Sequence, residues 1–388
     1  MSKALFFSKA RPARVILHYW GQRGGGSDVT MFLAEHFRNT DRTTEVYLSL
    51  ARQNKDIEAF RETGLPIVTL DRPSLSNLWR RAWLLPQQLR DHGETLASFK
   101  PHAVIITMNS PFAWPFIILL QRRGLKVIYV AHDAEPHPGD YARTWQRASQ
   151  DLLIRKADRV VALSGSVADR IAGRIPIAAR KISVIPLETI FPTKRAQLPD
   201  LPTASQPVRL LFFGRLLPYK GLDLMAQALA PLRTNPNWTL TIAGSGPLEA
   251  DVRGTFGDWP QVDLELGWIS GKRADELYAS HHLLLCPYNE ASQSGSISHA
   301  ISWAVPSLVT PTGALPEQIG FGTAGVVADS MDADGFRRGL QQILEDPGSL
   351  INLSRGAARL LAERRANLSW FKLIQATAEA EADGYSCD

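Results

Sequence analysis

Three groups of residues in this 388-residue chain combine side-chain types and spacing that chemistry can use. The densest is AHDAEPHPGDY, where His132, Asp133, Glu135 and His137 place four ionisable groups within six residues of one loop. Such groups move protons or contact a polar substrate. A metal site would need a second ligand cluster, which the sequence does not offer, and Pro136 and Pro138 suit a rigid loop better than a chelate, so no metal is expected. The second group is FGRLLPYKGL, a glycine-bounded loop bearing Arg215 and Lys220. Arginine offers a bidentate fork and lysine a point charge, a pair suited to a diphosphate. The third is the stretch 287–317, PYNEASQSGSISHAISWAVPSLVTPTGALPE. There Ser294, Gly295 and Ser296 precede a helical pattern in which Ile297, Ala300, Ile301 and Ala304 recur at i, i+3, i+4 and i+7. A helix start has unpaired N–H groups and the positive end of the dipole, which together attract phosphate. An ordinary capped helix and a solvated cationic loop are the competing structural readings.

These loops need strands to aim them. RVILHY (14–19) predicts a strand, followed by GQRGGGSDVT and a helical pattern. Gly25 and Gly26 would let the backbone approach a ligand beside Arg23, at the strand end where open α/β sheets bind. The glycine spacing is not the dinucleotide fingerprint, and the next strand, 44–50, runs into Ala51 and Arg52 instead of an acidic residue, which excludes a dehydrogenase. Strands at 66–70, 103–108, 126–130, 157–164 and 182–188 alternate with helical segments, as in a parallel sheet. A second series follows at 209–213, 239–247 with Gly246, 262–270 with Gly267 and Trp268, and 283–285. The Pro-rich, polar stretch between the two series reads as a linker. The expected organisation is α/β with a first domain over 1–188, a linker over 189–208, a second domain over 209–365 and a closing helix over 366–388.

Composition limits the function. Hydrophobic residues make up 45% and charged residues 21%, ordinary for a globular protein. Cys286 and Cys387 provide neither a disulfide framework nor a metal site. No run approaches the ~20 apolar residues of a spanning helix, and MSKALFFSKARPARVILHYW does not read as a secretory leader, so a cytoplasmic location is expected. The net charge of +5 is uneven: residues 1–190 carry 27 Lys and Arg against 17 Asp and Glu. A basic half suits a phosphorylated partner or an anionic membrane surface, and the absence of a run of basic residues argues against nucleic acid. In SLSNLWRRAWLLPQQLR (74–90), Trp79, Arg80, Arg81 and Trp83 mix in a way that fits a bilayer interface or a lipid-linked acceptor, unless the tryptophans simply pack in the core.

The series FGRLLPYKGLDL, TIAGSGP, LGWIS with DELYASHHLLLCPY, and the Ser/Gly loop ending in LPE resembles, in order and spacing, the nucleotide-sugar domain of retaining glycosyltransferases of the GT-B fold, family 4. The resemblance covers about 155 residues and is specific as a set. The GQRGGGSDVT loop and His132 are similar to that family's glycine loop and sugar-contacting histidine. NLSWFKLIQATAEAEADGY is similar to its last helix, which crosses back to the first domain. One departure stands out: the family's two glutamates, eight positions apart, fall here on Ala291 and His299, with Glu290 one residue off the first. The ASQSG loop resembles a variant branch.

The resemblance implies two Rossmann-like domains facing each other across a cleft. A nucleotide-sugar donor would bind the second and an acceptor the first, with no cofactor or metal. His132, Asp133 and Glu290 would serve the sugar. Gly25, Gly26, Arg215, Lys220, Gly246, Gly267, Trp268, Gln293, Ser294, Gly295, Ser296 and His299 would serve the donor, and Arg23, His137 and residues 79–83 the acceptor or a membrane. His299 shares a helix face with Ser296 and Trp303, from which it could reach a ribose or phosphate. The implied activity is glycosyl transfer to a glycan or polyprenyl-diphosphate-linked acceptor in envelope or exopolysaccharide synthesis, at the inner face of the membrane. Attack on the leaving-group face would retain configuration without a protein base, whereas Asp133 acting as base would invert it. A nucleotide-sugar 2-epimerase of the same fold and an inactive nucleotide-sugar-binding homologue are the rivals.

Overall fold

A computed structural model describes residues 13–40, 44–71, 85–110, 113–135, 143–191, 193–194, 202, 206–367 and 370–379. Trp79, Arg80, Arg81, Trp83 and His137 lie outside the described residues. Two parallel sheets organise the chain. The first contains β1 (Ala13–Tyr19), β2 (Thr44–Ala51), β3 (Ile67–Leu70), β4 (Ala103–Ile106), β5 (Val127–Ala131), β6 (Arg159–Ala162) and β7 (Ile182–Val184), in the order β3-β2-β1-β4-β5-β6-β7. The second contains β8 (Val208–Phe213), β9 (Trp238–Gly244), β10 (Val262–Leu266), β11 (Leu283–Cys286), β12 (Ser307–Val309) and β13 (Gly325–Val327), in the order β10-β9-β8-β11-β12-β13.

The central strands are short, uniformly apolar runs because helices cover both faces of each sheet. AVII in β4, VIYVA in β5 and LLLC in β11 are buried at every position. The pleat sends alternate residues to opposite sides. Ile16, Val104, Ile106, Val127 and Tyr129 join one core of the first sheet, while Val15, Leu17, Ile105, Ile128 and Val130 join the other. The second sheet has its own core around Leu210, Phe212, Trp238, Tyr278 and Phe336.

Several strand ends differ from the sequence expectation, and each difference matters at the rim. β4 stops at Ile106, which leaves the Thr107 carbonyl outside the ladder. β10 stops at Leu266, because Gly267 turns to φ 124, a conformation a side chain would strain. β13 was not anticipated: it is only three residues long, and a Cβ at Gly325 would stand 2.0 Å from the Ser307 carbonyl oxygen.

The two sheets are bonded at the hinge. Arg364, on the helix Ser349–Asn367, pairs with buried Glu188, and Arg365 donates to the carbonyls of Thr189 and Phe191. The Lys194 N–H donates to the Ser302 carbonyl at 2.9 Å. The start of the linker is thus pinned to the second domain. Beyond Asn367 the chain returns: Trp370 and Ile374, on the helix Trp370–Glu379, pack with Val15, Leu17 and Leu33 in the first domain's core. Among the described residues, no helix is long and apolar enough to cross a membrane.

Candidate active site between the two sheets

In each sheet the strand order reverses at one place, between β1 and β4 in the first and between β8 and β11 in the second. Loops leaving the carboxyl ends of such strands diverge and leave a crevice. The loop after β1 is the glycine loop. Gly24 turns at φ 104 and its carbonyl accepts the Ser27 N–H at 2.7 Å, opening the helix Gly25–Thr40. A Cβ at Gly26 would lie 2.5 Å from Tyr19 and 2.9 Å from Met108, so close packing demands glycine there, whereas Gly25 is exposed with open space around it. After β5, His132 is buried and its Nε2–H donates to the Thr107 carbonyl at 2.6 Å, because a carbonyl can only accept. Nδ1 is therefore the acceptor nitrogen, and burial holds the imidazole pKa below its usual value.

The loop after β8 carries the cations. Arg215 is exposed and donates to the Tyr219 hydroxyl at 3.3 Å. Lys220 is buried, with Nζ 3.8 Å from the centre of the Tyr288 ring, and burial lowers its pKa to about 8. The neighbouring loops close tightly: a Cβ at Gly246 would be 2.4 Å from the Leu216 carbonyl oxygen. Trp268 stands 70% exposed after Gly267.

The loop after β11 leads to the helix Gly295–Ser302. Ser294 caps it, its Oγ accepting the Ile297 N–H at 3.4 Å and lying 3.2 Å from the Tyr288 hydroxyl. The Ser294 N–H is taken by the Gln318 side chain at 2.7 Å, so the expected three-residue anion cradle narrows to the N–H groups of Gly295 and Ser296. Ser296 Oγ donates to the Phe213 carbonyl at 2.9 Å, which fastens this helix start to the end of β8. His299 is placed differently from the expectation. Its Nε2 lies 2.9 Å from Asp275 Oδ1, which also accepts Trp303 Nε1–H at 3.2 Å, and its ring stacks on Tyr278 with centroids 4.3 Å apart. That nitrogen is committed within the protein. Ala291 belongs to the second core, where a Cβ at Gly313 would come within 1.5 Å of its carbonyl oxygen. Glu290 is half-buried just before it, and Gln293 keeps its Oε1 buried without a partner.

The two rims touch. Ser292 Oγ donates to Asp133 Oδ1, and Ser164 Oγ donates to the Ser292 carbonyl at 3.1 Å. The Arg23 guanidinium lies over the Trp268 ring. Glu317 receives the Gly165 N–H at 2.7 Å and the Ser166 N–H at 3.2 Å. The structure therefore gathers His132, Asp133, Ser292, Ser294, Tyr288 and Lys220 into one continuous wall. The sequence reading did not single out Ser164, Ser292, Glu317 or Gln318, and the only signal was the LPE that closes the third stretch. Among the described residues, no group of three or more His, Cys, Asp or Glu side chains is arranged to hold a metal ion.

The chain matches known families in both halves. Residues 23–187 match the family described as Glycosyltransferase Family 4, and residues 207–346 match Glycosyl transferases group 1. Residues 130–265 also match Family 4 Glycosyltransferase in conflict systems. Among curated proteins, a glycogen synthase from Mycobacterium tuberculosis is 25% identical over 69% of this chain and 65% of its own length. The O-antigen chain mannosyltransferase B of Escherichia coli is 27% identical over 55% of this chain and 58% of its own. The chain thus spans less than two thirds of these relatives. Among solved structures, Anabaena HepE in complex with UDP and glucose superposes with a TM-score of 0.69 at 15% identity, covering 95% of this chain and 99% of that one. The first half thus matches the family 4 description, the second half matches group 1, and the chain has the two-sheet GT-B architecture that it shares with HepE.

Proposed function

We propose that the protein transfers a glycosyl group from a nucleotide-diphosphate sugar on the second rim to a glycan or polyprenyl-diphosphate-linked acceptor on the first. The observation that carries this reading is the contact between the loop after β5 in the first sheet and the loop after β11 in the second, through Asp133 and Ser292, in a chain whose two halves match glycosyltransferase families. Negative charge would develop on the departing diphosphate, where Arg215, Lys220 and the N–H groups of Gly295 and Ser296 would stabilise it without a metal ion. His132 would present its unprotonated Nδ1 to a sugar hydroxyl, and closure of the rims would exclude the water that hydrolyses donors. Asp133 is engaged by Ser292, which favours a positioning role over that of a base and so favours retention. The names of the O-antigen mannosyltransferase and of the UDP-bound HepE support the acceptor and donor classes. The basic first half and the 74–90 segment support a peripheral site at the cytoplasmic membrane face.

A thermal-shift screen against UDP-, GDP- and ADP-sugars identifies the donor, since a ligand of the native state raises Tm by mass action. Nucleoside diphosphate release that requires an added glycan acceptor is the expected result. Conversion of the donor sugar to its epimer without acceptor would establish the epimerase, and the absence of any shift would remove the nucleotide-sugar reading. Flotation of the wild type and an Arg80→Glu, Arg81→Glu variant with anionic vesicles tests the membrane part, which fails if neither binds.

A further inference from the structure

One short turn, Leu315–Gln318, holds three parts of the molecule at once. Towards the first domain, the Glu317 carboxylate takes the N–H groups of Gly165 and Ser166 at the start of the helix Gly165–Arg174, where the dipole favours negative charge. Ser164 caps the same helix and grips the Ser292 carbonyl. Towards the second domain's rim, the buried Gln318 amide clamps a single residue on both sides. Its Oε1 accepts the Ser294 N–H at 2.7 Å, and its Nε2 donates to the Ser294 carbonyl at 3.2 Å and to Ser298 Oγ at 3.3 Å. Towards the hinge, Arg364 donates to the carbonyls of both Glu317 and Gln318 while pairing with Glu188.

We propose that Glu317 and Gln318 are positioning residues that couple closure of the two domains to the backbone geometry of the donor loop. The inference rests on the reading above that this loop receives the donor's diphosphate. Ser294 is held at φ −134 and ψ 117, and this extended conformation sets the direction in which the next two N–H groups point. A two-point amide clamp leaves that peptide no freedom to rotate. The clamp and the interdomain carboxylate sit on adjacent residues of one turn, so a shift of the first domain pulls on Glu317 and moves the frame that holds Gln318. Opening therefore loosens the diphosphate site, and filling that site favours closure by the same amount, since coupling of this kind is reciprocal.

Hydrogen exchange read by mass spectrometry tests the coupling on the full chain without any ligand. Glu317→Gln keeps the shape of a half-buried side chain and removes its charge. It should raise exchange in peptides covering 165–168 and, remotely, in those covering 291–298, by about fivefold or more, with Tm nearly unchanged. Gln318→Leu should raise exchange in the same two regions. If Glu317→Gln changes only 165–168, the coupling is overturned. A second arm uses UDP as the probe in calorimetry: both variants should weaken its binding, while Glu317→Asp should restore part of it. If UDP fails to bind the wild type, the donor reading loses support, but the exchange arm still decides the coupling. If UDP binds both variants as tightly as the wild type, the link from closure to the diphosphate site is wrong even where exchange changes.

Discussion

The guanidinium carbon of Arg23 lies 4.3 Å from the centre of the Trp268 indole, so a residue of the first domain's glycine loop covers an exposed aromatic of the second domain's rim. Arg23 reaches across from a fixed base, since its Nε is 3.2 Å from Asp56, which in turn accepts from Ser27 at 2.8 Å. The residue expected to serve the acceptor and the residue expected to serve the donor are therefore in direct contact.

A cation over an indole contributes about 0.5–1 kcal/mol at an exposed site. Arg23→Ala is expected to raise the KM for the donor by about two- to fivefold with little change in Tm. Arg23→Lys, which keeps a cation, should lie between the two. An unchanged KM in both would show that the contact does not contribute to closure.

Asp133 and Ser292 separate the two stereochemical outcomes. If Asp133 positions Ser292, Asp133→Asn preserves the shape and should lower kcat by about tenfold or less, with the anomeric configuration of the donor retained in the product. A general base is worth about 10²–10⁴-fold. A loss in that range together with an inverted product by NMR would reassign Asp133 as the base.

Lys220 should give donor binding a pH dependence if it holds the diphosphate as proposed. Burial lowers its pKa to about 8 in the free protein, so it is largely cationic at pH 7 and loses its proton above pH 8. A diphosphate that needs the cation should bind about tenfold more weakly for each pH unit above that value. Lys220→Arg, charged throughout, should give a flat profile in calorimetry between pH 7 and 9. A falling profile in that variant would place the titration elsewhere.

A pair of buried histidines in the first domain should make the fold acid-sensitive. His18 Nδ1 and His92 Nε2 lie 2.8 and 2.7 Å from the same Ser49 hydroxyl, and burial lowers their pKa values to about 3 and about 4. Both values are below the ordinary 6.5, so the unfolded chain binds protons first. The stabilisation is fully present above pH 6.5 and is lost as the pH falls towards 4. From pH 6.5 to 5 the loss is about 2 kcal/mol for each group. Denaturant midpoints should fall accordingly, and His92→Gln should reduce the slope.

Glu188 is buried and ion-paired with Arg364, and one of its oxygens, Oε2, is without a partner. Arg364→Met strands a buried carboxylate and should cost about 3–5 kcal/mol. Adding Glu188→Gln should recover much of that loss. Additive losses measured by chemical denaturation would show that the pair is not a unit.

The sequence by itself determined the alternation of apolar strands and helices, the glycines at strand ends, and the cations at positions 215 and 220. Each of these is written in residues a few positions apart, through periodicity, burial and turn chemistry. It also singled out His132, which the structure bonds to the Thr107 carbonyl, and the helix start that Ser294 caps. It did not give the strand order, and therefore not the switch point in each sheet. Nor did it foresee that Asp275 would take up His299 Nε2, that Gln318 would take the Ser294 N–H, or that Ser292 would meet Asp133. Those contacts join segments far apart in the chain, and no local pattern records them. The first two depend on how the helices of the second domain pack beside one another, and the third exists because two sheets, each with its own core, are held at the hinge by Arg364 and Arg365 at one particular orientation, which only the tertiary structure decides.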